Sequence, residues 1–353
     1  MRKRRADWIG AWFRLARQTT RAAGDLGRAS VTRIARDPAV KRNVRRALTA
    51  VATPTAPPAS RGRGAWHEGS WGLGPLAQRS YRLFIPPGAR AGHPLPLVVL
   101  LHGCGQDAAA FAAATRAAAA ARAGGFAVLL PEQSTSANPQ RCWNWFRPEP
   151  IVAGEAGILL AIVDHVCRLH HLRNDAVFAI GLSAGGAMAM VLGLAFPERF
   201  RAVASHSGAV PLSARTPVQG TQAMIGQRGP RGARVERLRR WLGTRHPPPL
   251  LLIHGDADLV VNVANAEAAA TLWCDLGGKP EPSPTTSGAR QRGRRRLWTV
   301  SDYRFGPTLL ARVVRVAGLG HAWSGGAAGQ AFSDPTGPDA LRMAWGFFSQ
   351  WCD

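Results

Sequence analysis

The sequence predicts an α/β fold, with a mostly parallel central sheet flanked by helices. From about Trp66 onward, short apolar runs alternate with longer Ala- and Leu-rich segments, a rhythm typical of strands that alternate with crossover helices. A second indication is a β-branched strand that ends in a glycine-rich turn and continues directly into a small-residue helix. The 353 residues suffice for one such domain with an appendage. The sequence contains no run of 18 apolar residues, so it predicts no membrane-spanning helix.

The predicted elements follow from the apolar runs and the spacing between them. The expected strands are 82–86, 97–103, 126–131, 176–181, 201–207, 250–255 and 312–318, and the expected helices lie near 107–123, 155–171, 184–196, 263–276 and 338–351. Residues 208–248 form an insertion between two strands. Residues 277–296 are poor in hydrophobic residues and rich in Pro, Gly and Arg, which predicts a mobile surface loop.

Composition divides the chain into a basic arm, a linker and a large domain. Residues 1–52 form a partly helical arm, whose first 50 residues carry a net charge of +11 out of the +24 of the whole chain. The Pro-, Ser- and Gly-rich segment 53–65 predicts a flexible linker, and 66–353 the α/β domain. Such a charge attracts anionic surfaces in general and selects no specific nucleic acid, and the arginine enrichment of a GC-rich genome explains it equally well. The arm lacks the uninterrupted apolar core and the cleavage site of a secretory signal.

The segment around Ser183 carries the strongest local signal. It contains a strand, the G-x-S-x-G turn GLSAG and a helix in direct succession. In this context a tight turn holds a serine hydroxyl clear of the sheet, above helix amides that face a developing oxyanion. Gly181 and Gly185 are expected because the turn leaves no room for side chains. The pattern therefore predicts that Ser183 is a nucleophile.

A serine nucleophile needs a base, and the base needs a carboxylate that orients it. His321 lies on a glycine-rich loop after the last long strand, and His206, at the end of an earlier strand, is its rival. Asp256 and Asp258 both follow the strand at 250–255. Asp258 is favoured, because Asp256 is placed to close the turn through backbone amides. The order serine, acid, histidine predicts the α/β-hydrolase fold with a basic N-terminal extension.

Backbone amides at two positions are expected to form an oxyanion hole. One is the amide of Ala184, directly after the nucleophile, and the other is the amide of Cys104, on the loop after the strand that begins at Leu97. The chemistry implies no cofactor. Five cysteines without CxxC or CxxH spacing do not predict a metal site.

Several segments of the chain together resemble the poly(3-hydroxybutyrate) depolymerase family of esterases, which is related to feruloyl and acetylxylan esterases. They are RSYRLFIPPG, LPLVVLLHGCGQD, LLPEQSTSANPQRCWNWF, GLSAGGAMAM, HGDADLVVNVANAE and GLGHAWSGG with FSDPTGPDA, and they extend from about Ser80 to Trp351. The resemblance implies that the GxSxG serine, the HGxxD aspartate and the GHxW histidine form the triad. In this sequence they are Ser183, Asp258 and His321.

The family motifs also imply features around the site. Cys104 and Cys142 fall within two of them, so they either form a disulfide in an oxidising compartment or remain two buried thiols. Trp143, Trp145 and Trp323 cluster in the same motifs. They form either an apolar wall that binds a polyester or acyl chain or packing beneath the active-site loops.

Substrate and location are expectations from the resemblance. The expected substrate is a poly- or oligo(3-hydroxybutyrate) or a similar short-chain hydroxyalkanoate ester, with feruloyl, acetyl or general short-chain esters as the alternative. Family members are commonly secreted to the extracellular region, whereas the missing secretory signal leaves a cytoplasmic or granule-associated location open. The alternative of another class is a protein that binds polymer granules or anionic surfaces through residues 1–50.

Overall fold

The computed structural model describes residues 63–72, 74–88, 92–226, 232–278 and 284–352. The predicted basic arm, 1–52, and linker residues 53–62 lie outside these residues. The first strand begins at Ala65, next to the predicted start of the α/β domain.

A ten-stranded sheet forms the centre of the described part of the chain. Its strands are β1 (Ala65–Trp71), β2 (Arg79–Ile85), β3 (Leu97–Leu101), β4 (Ala127–Pro131), β5 (Val177–Leu182), β6 (Ala202–His206), β7 (Leu250–Gly255), β8 (Thr285–Arg290), β9 (Trp298–Phe305) and β10 (Thr308–Val316). The order is β1-β2-β4-β3-β5-β6-β7-β10-β9-β8. Pairing is parallel from β4 to β10 and antiparallel toward both edges. Two short strands, β11 (Trp323–Ser324) and β12 (Ser333–Asp334), pair separately. The predicted α/β-hydrolase architecture is confirmed.

Helices cover both faces of this sheet. They are α1 (Gly74–Ala77), α2 (Ala108–Ala114), α3 (Ala117–Gly124), α4 (Glu149–Leu169), α5 (Ala184–Ala195), α6 (Pro217–Met224), α7 (Ala233–Leu242), α8 (Ala264–Leu276) and α9 (Ala340–Phe348), with a 3₁₀ turn at Ser349–Trp351. Strand residues alternate between two cores: Val99 packs in the core with α4, α5, α7 and α8, and Val98 packs in the core with α2, α3 and α9. Because both faces are covered, strands β3 to β7 are buried at every position and consist mostly of apolar residues.

The segment predicted to be one helix near 107–123 forms two helices. Arg116 has a φ of 54°, which ends the regular helical path between α2 and α3. The hydroxyl of Thr115 donates to the carbonyl oxygen of Phe111 at 2.7 Å. The alanine-rich sequence favours helix on both sides of the break and does not reveal it.

The prediction of a mobile loop over 277–296 is wrong for residues 285–290, which form β8. This strand pairs with β9, and the hydroxyl of Ser287 donates to the carbonyl oxygen of Val300 at 3.2 Å. Most of its side chains are exposed. The strand therefore lacks the apolar pattern on which the sequence prediction depended.

Helix α4 is the one described helix whose length and composition would allow it to cross a membrane. Its apolar residues Val152, Leu159, Val163 and Val166 are completely buried in the core of the domain. The core helix of an α/β domain passes the same test, so α4 does not indicate a membrane span.

Candidate active site

Ser183 lies in the turn between β5 and α5, with a half-buried side chain. Its φ of 57° and ψ of −117° are costly for a residue with a side chain. A Cβ atom on Gly185 would lie 2.2 Å from the carbonyl oxygen of Leu101, and one on Gly181 would lie 2.4 Å from the carbonyl carbon of Gly185. Helix α5 therefore approaches β3 and β5 too closely for side chains at these positions, as the sequence predicts.

Asp258 and His321 lie together at the carboxyl edge of the sheet, because they follow the neighbouring parallel strands β7 and β10. The Nδ1 atom of His321 donates to Oδ2 of Asp258 at 2.8 Å. The Asp258 side chain is completely buried, and the His321 side chain is 10% exposed. With the proton on Nδ1, Nε2 of the neutral imidazole carries the lone pair that a general base needs.

Hydrogen bonds keep Asp258 ionised in this buried position. Burial alone would raise its pKa, but the nearby His254 ring and the hydrogen bonds from His321 and the backbone lower the pKa below its ordinary value. Oδ1 accepts the amide protons of Val260 and Val261, each at 2.9 Å. His254 Nε2 lies 3.6 Å from Oδ2 and donates to the carbonyl oxygen of Val261 at 2.8 Å. These contacts hold the Asp258 carboxylate in place, with Oδ2 facing the imidazole of His321.

Asp256, the alternative acid, points to a different partner. Its Oδ1 accepts the amide proton of Gly318 at 2.7 Å, which joins the ends of β7 and β10. This is the turn-closing arrangement that the sequence analysis considered for Asp256.

His206, the rival base, is completely buried and has both ring nitrogens occupied. Nε2 accepts the amide proton of Ser324 at 3.1 Å, so the ring proton lies on Nδ1, which is 3.2 Å from the hydroxyl of Ser207. Burial lowers the pKa of His206 to about 3. Its carbonyl oxygen accepts the amide proton of Ser183 at 2.8 Å. His206 therefore connects the turn at Ser183 to the segment just after His321 and takes no proton from a nucleophile.

The β3–α2 loop, residues 102–107, lies beside Ser183. A Cβ atom on Gly103 would be 3.7 Å from the Cβ atom of Ser183. The amide of Gly103 donates to Oε1 of Gln106 at 2.9 Å. Within the described chain, the amides of Cys104 and Ala184 have no hydrogen-bond acceptor. Both amides are therefore available to an oxyanion.

A disulfide joins Cys104 and Cys142, whose Cα atoms are 4.2 Å apart. It connects the β3–α2 loop to the β4–α4 loop, residues 132–148. Of the two arrangements that the resemblance allows, the structure has the disulfide.

Trp143, Trp145 and Trp323, the candidate substrate contacts, are buried, with exposed fractions of 0%, 4% and 0%. The indole of Trp143 donates to the carbonyl oxygen of His102 at 3.0 Å, and Trp323 stacks on His206 with ring centroids 5.2 Å apart. The rings pack beneath the active-site loops, which is the alternative that the motifs left open.

A buried polar cluster lies behind the β3–α2 loop and was not predicted from the sequence. Its members are Arg79, Gln133, Asn144 and Glu155. The signal that could have found it is the position of Glu155 on the apolar face of α4, three residues after Val152 and four before Leu159. A carboxylate on such a face needs buried partners.

No group of three His, Cys, Asp or Glu side chains in the described part of the chain is arranged to hold a metal ion. The site consists of a turn serine, an imidazole bonded to a carboxylate, and two unoccupied amides. Fold and site together define an α/β-hydrolase.

Comparison with known proteins narrows this class. Residues 79–297 match the family described as Esterase PHB depolymerase, and the chain belongs to that family. It is 31% identical over 212 residues to poly(3-hydroxyalkanoate) depolymerase C of Paucimonas lemoignei, and the matched segment covers 58% of this chain and 50% of the relative. Over 231 residues it is 29% identical to feruloyl esterase B of Thermothelomyces thermophilus, which covers 61% of this chain and 75% of the relative. The chain thus spans half the length of the depolymerase.

A solved structure supports the fold. The acetyl xylan esterase from Aspergillus awamori superposes with a TM-score of 0.59 at 18% identity, over 73% of this chain and 94% of that one. At this identity the likeness concerns the architecture alone.

Proposed function

We propose that the chain hydrolyses carboxylic esters through an acyl-enzyme on Ser183. The observation that carries the proposal is the 2.8 Å hydrogen bond between His321 and Asp258, at the same carboxyl edge of the sheet as the turn that presents Ser183. His206 supports the arrangement, because it accepts protons from the amides of both Ser183 and Ser324. Membership of an esterase family is consistent with this chemistry.

In the proposed reaction, the Ser183 oxygen attacks the ester carbonyl carbon while its proton passes to Nε2 of His321. Asp258 orients the imidazole and stabilises its cation. The amides of Cys104 and Ala184 hold the oxyanion of the tetrahedral intermediate. The bond to the alcohol oxygen then breaks, and His321 returns the proton to the leaving alcohol. Water repeats the sequence on the acyl-enzyme, which releases the acid and restores the serine.

Replacement of the nucleophile tests this proposal. Ser183→Ala is expected to lower kcat for p-nitrophenyl butyrate roughly a millionfold, as removal of a triad serine does in other hydrolases. A fluorophosphonate should label the wild-type chain and leave Ser183→Ala unlabelled. Ser301→Ala, the same change on β9, is the matched control and should keep both properties. A folded Ser183→Ala protein with wild-type turnover would contradict the assignment.

The proposed substrate is a poly- or oligo(3-hydroxybutyrate) or a similar short-chain hydroxyalkanoate ester. The similarity to the Paucimonas lemoignei depolymerase supports it, while that to feruloyl esterase B favours a feruloyl ester as the alternative. Amorphous poly(3-hydroxybutyrate), p-nitrophenyl butyrate and a feruloyl ester should be compared on one sample. We expect kcat/KM for the feruloyl ester to be about tenfold or more below that for the butyrate. The reverse ranking would favour the alternative.

The basic arm gives a second candidate function, attachment to polymer granules or anionic surfaces. Its support is the net charge of +11 within the first 50 residues. Deletion of residues 1–60 should abolish sedimentation with granules or anionic liposomes at low salt, where charge attraction is least screened. Equal sedimentation of both chains would exclude the arm as an anchor.

A further inference from the structure

Glu155 is a charged residue in the core that the proposed reaction does not use. It lies on α4, 4% exposed, opposite Arg79, which is 2% exposed. The Nη2 atom of Arg79 donates to Oε1 of Glu155 at 3.3 Å. Pairs of this kind gain little net stability, because both ions lose their hydration. A buried ion pair at this position therefore calls for a role other than stability.

Within the described residues, the remaining hydrogen bonds of the Glu155 carboxylate go to the β4–α4 loop. Oε1 accepts from the amide groups of the Gln133 and Asn144 side chains, at 2.5 and 3.2 Å. Oε2 accepts the backbone amide proton of Asn144 at 2.6 Å. The Gln133 side chain also donates to the carbonyl oxygen of Cys142 at 3.0 Å. One carboxylate thus fixes both ends of the loop stretch 133–144.

That stretch in turn holds the β3–α2 loop at four points. The backbone amide of Gln133 donates to Nε2 of His102 at 3.1 Å, and the indole of Trp143 donates to the carbonyl oxygen of His102 at 3.0 Å. The amide of Gly105 donates to the carbonyl oxygen of Gln140 at 2.8 Å. The fourth link is the disulfide of Cys104 to Cys142. These contacts bracket Cys104 on both sides in sequence.

We propose that Glu155 is a positioning residue for the oxyanion hole, acting through Gln133 and Asn144 on the amide of Cys104. The inference rests on the proposed function. An oxyanion donor works only when its amide lies about 2.7–3.1 Å from the oxygen that develops charge. A small displacement of the β3–α2 loop therefore reduces the stabilisation of the transition state. Substrate in the ground state has no full charge on that oxygen and is affected much less.

Two variants test the proposal. Glu155→Gln keeps the size of the side chain but turns one acceptor into a donor facing other donors. Gln133→Met keeps the ion pair of Arg79 with Glu155 and removes the bridge from Glu155 to Cys142. Each should lower kcat for p-nitrophenyl butyrate about tenfold, less than the hundredfold or more that loss of a donor costs, with KM changed by less than about twofold. Binding of a trifluoromethyl ketone, which forms a tetrahedral oxyanion adduct, should weaken by the same factor as kcat.

Asp164→Asn is the matched control. It removes a carboxylate on the same helix that pairs with Arg199 at 2.9 Å and makes no hydrogen bond to either loop. Its kcat should equal that of the wild type. Gln133→Met leaves no unpaired charge and decides the question if Glu155→Gln does not fold.

The outcomes separate the proposal from the reaction on which it rests. Folded Gln133→Met with wild-type kcat and ketone affinity overturns the positioning role, as does an equal loss in Asp164→Asn. A rise in KM with unchanged kcat also overturns it. If the wild-type chain itself turns over no ester and is not labelled by the fluorophosphonate, the proposed function has failed instead.

Discussion

Asp258→Asn changes one atom of the site and should reverse the tautomer of His321. Oδ1 can still accept the amide protons of Val260 and Val261, so the new amide nitrogen replaces Oδ2, 2.8 Å from Nδ1 of His321. An amide nitrogen donates only, which forces Nδ1 to accept and moves the imidazole proton to Nε2. The lone pair that takes the serine proton in the proposed reaction is then lost. We expect kcat to fall about 10⁴-fold, or about 5.4 kcal/mol in activation free energy, as in a serine protease with the same change.

The assay is p-nitrophenyl butyrate hydrolysis at pH 7, with circular dichroism to show that the variant is folded. Asp256→Asn is the matched control, because its Oδ1 can keep the 2.7 Å hydrogen bond from Gly318. It should retain wild-type kcat. The reasoning is refuted if folded Asp258→Asn stays within about tenfold of wild type, or if Asp256→Asn loses as much activity.

Three further predictions concern stability. Cys142→Ala removes the disulfide to Cys104, which closes a separation of 38 residues. Because the unfolded chain gains conformational entropy, the free energy of unfolding in urea should fall by about 4 kcal/mol. An unchanged urea midpoint would contradict this. Ser183→Gly removes the side chain from a strained backbone with φ of 57°. It should be about 1 kcal/mol more stable than Ser183→Ala, and both variants should be inactive. A less stable glycine variant would show that the turn is unstrained. Burial lowers the pKa of His206 from 6.5 to about 3. Between these pH values the unfolded chain therefore binds a proton that the folded chain does not. The free energy of unfolding should decrease as pH falls from 6.5 toward 3, by up to about 1.4 kcal/mol per pH unit. His206→Gln should have a smaller slope in the urea midpoint between pH 7 and 5, and an identical slope would exclude His206 as the source.

The site shows how the parallel sheet concentrates chemistry at one edge. Ser183, His206, Asp258 and His321 lie at or just past the carboxyl ends of β5, β6, β7 and β10, which are consecutive in the sheet. His206 lies between the serine and the acid, and its bonds connect the two sides. Strand β6 thus supports the site through His206, and the neighbouring strands carry the groups that are proposed to react.

Short sequence patterns were enough to predict the elements whose residue types match their burial in the fold. All seven predicted strands are present, because each contains a clear apolar run, and the five from β3 to β7 are buried at every position. The turn at Ser183 was readable because only glycine fits at 181 and 185. Strand β8 was not, because an exposed edge strand is stabilised by its ladder with β9 and needs no apolar residues.

By itself, the sequence determined the α/β architecture, the turn serine and the order in which the serine, the acid and the base follow one another. These are properties of short segments, whose periodicity and glycine content restrict the backbone locally. The tertiary structure alone decided that Trp143 and Trp323 are buried, that both ring nitrogens of His206 are occupied, and that the Glu155 carboxylate accepts hydrogen bonds from the β4–α4 loop. Burial and hydrogen-bond partners depend on segments far apart in the chain, and no local pattern records which of them will meet.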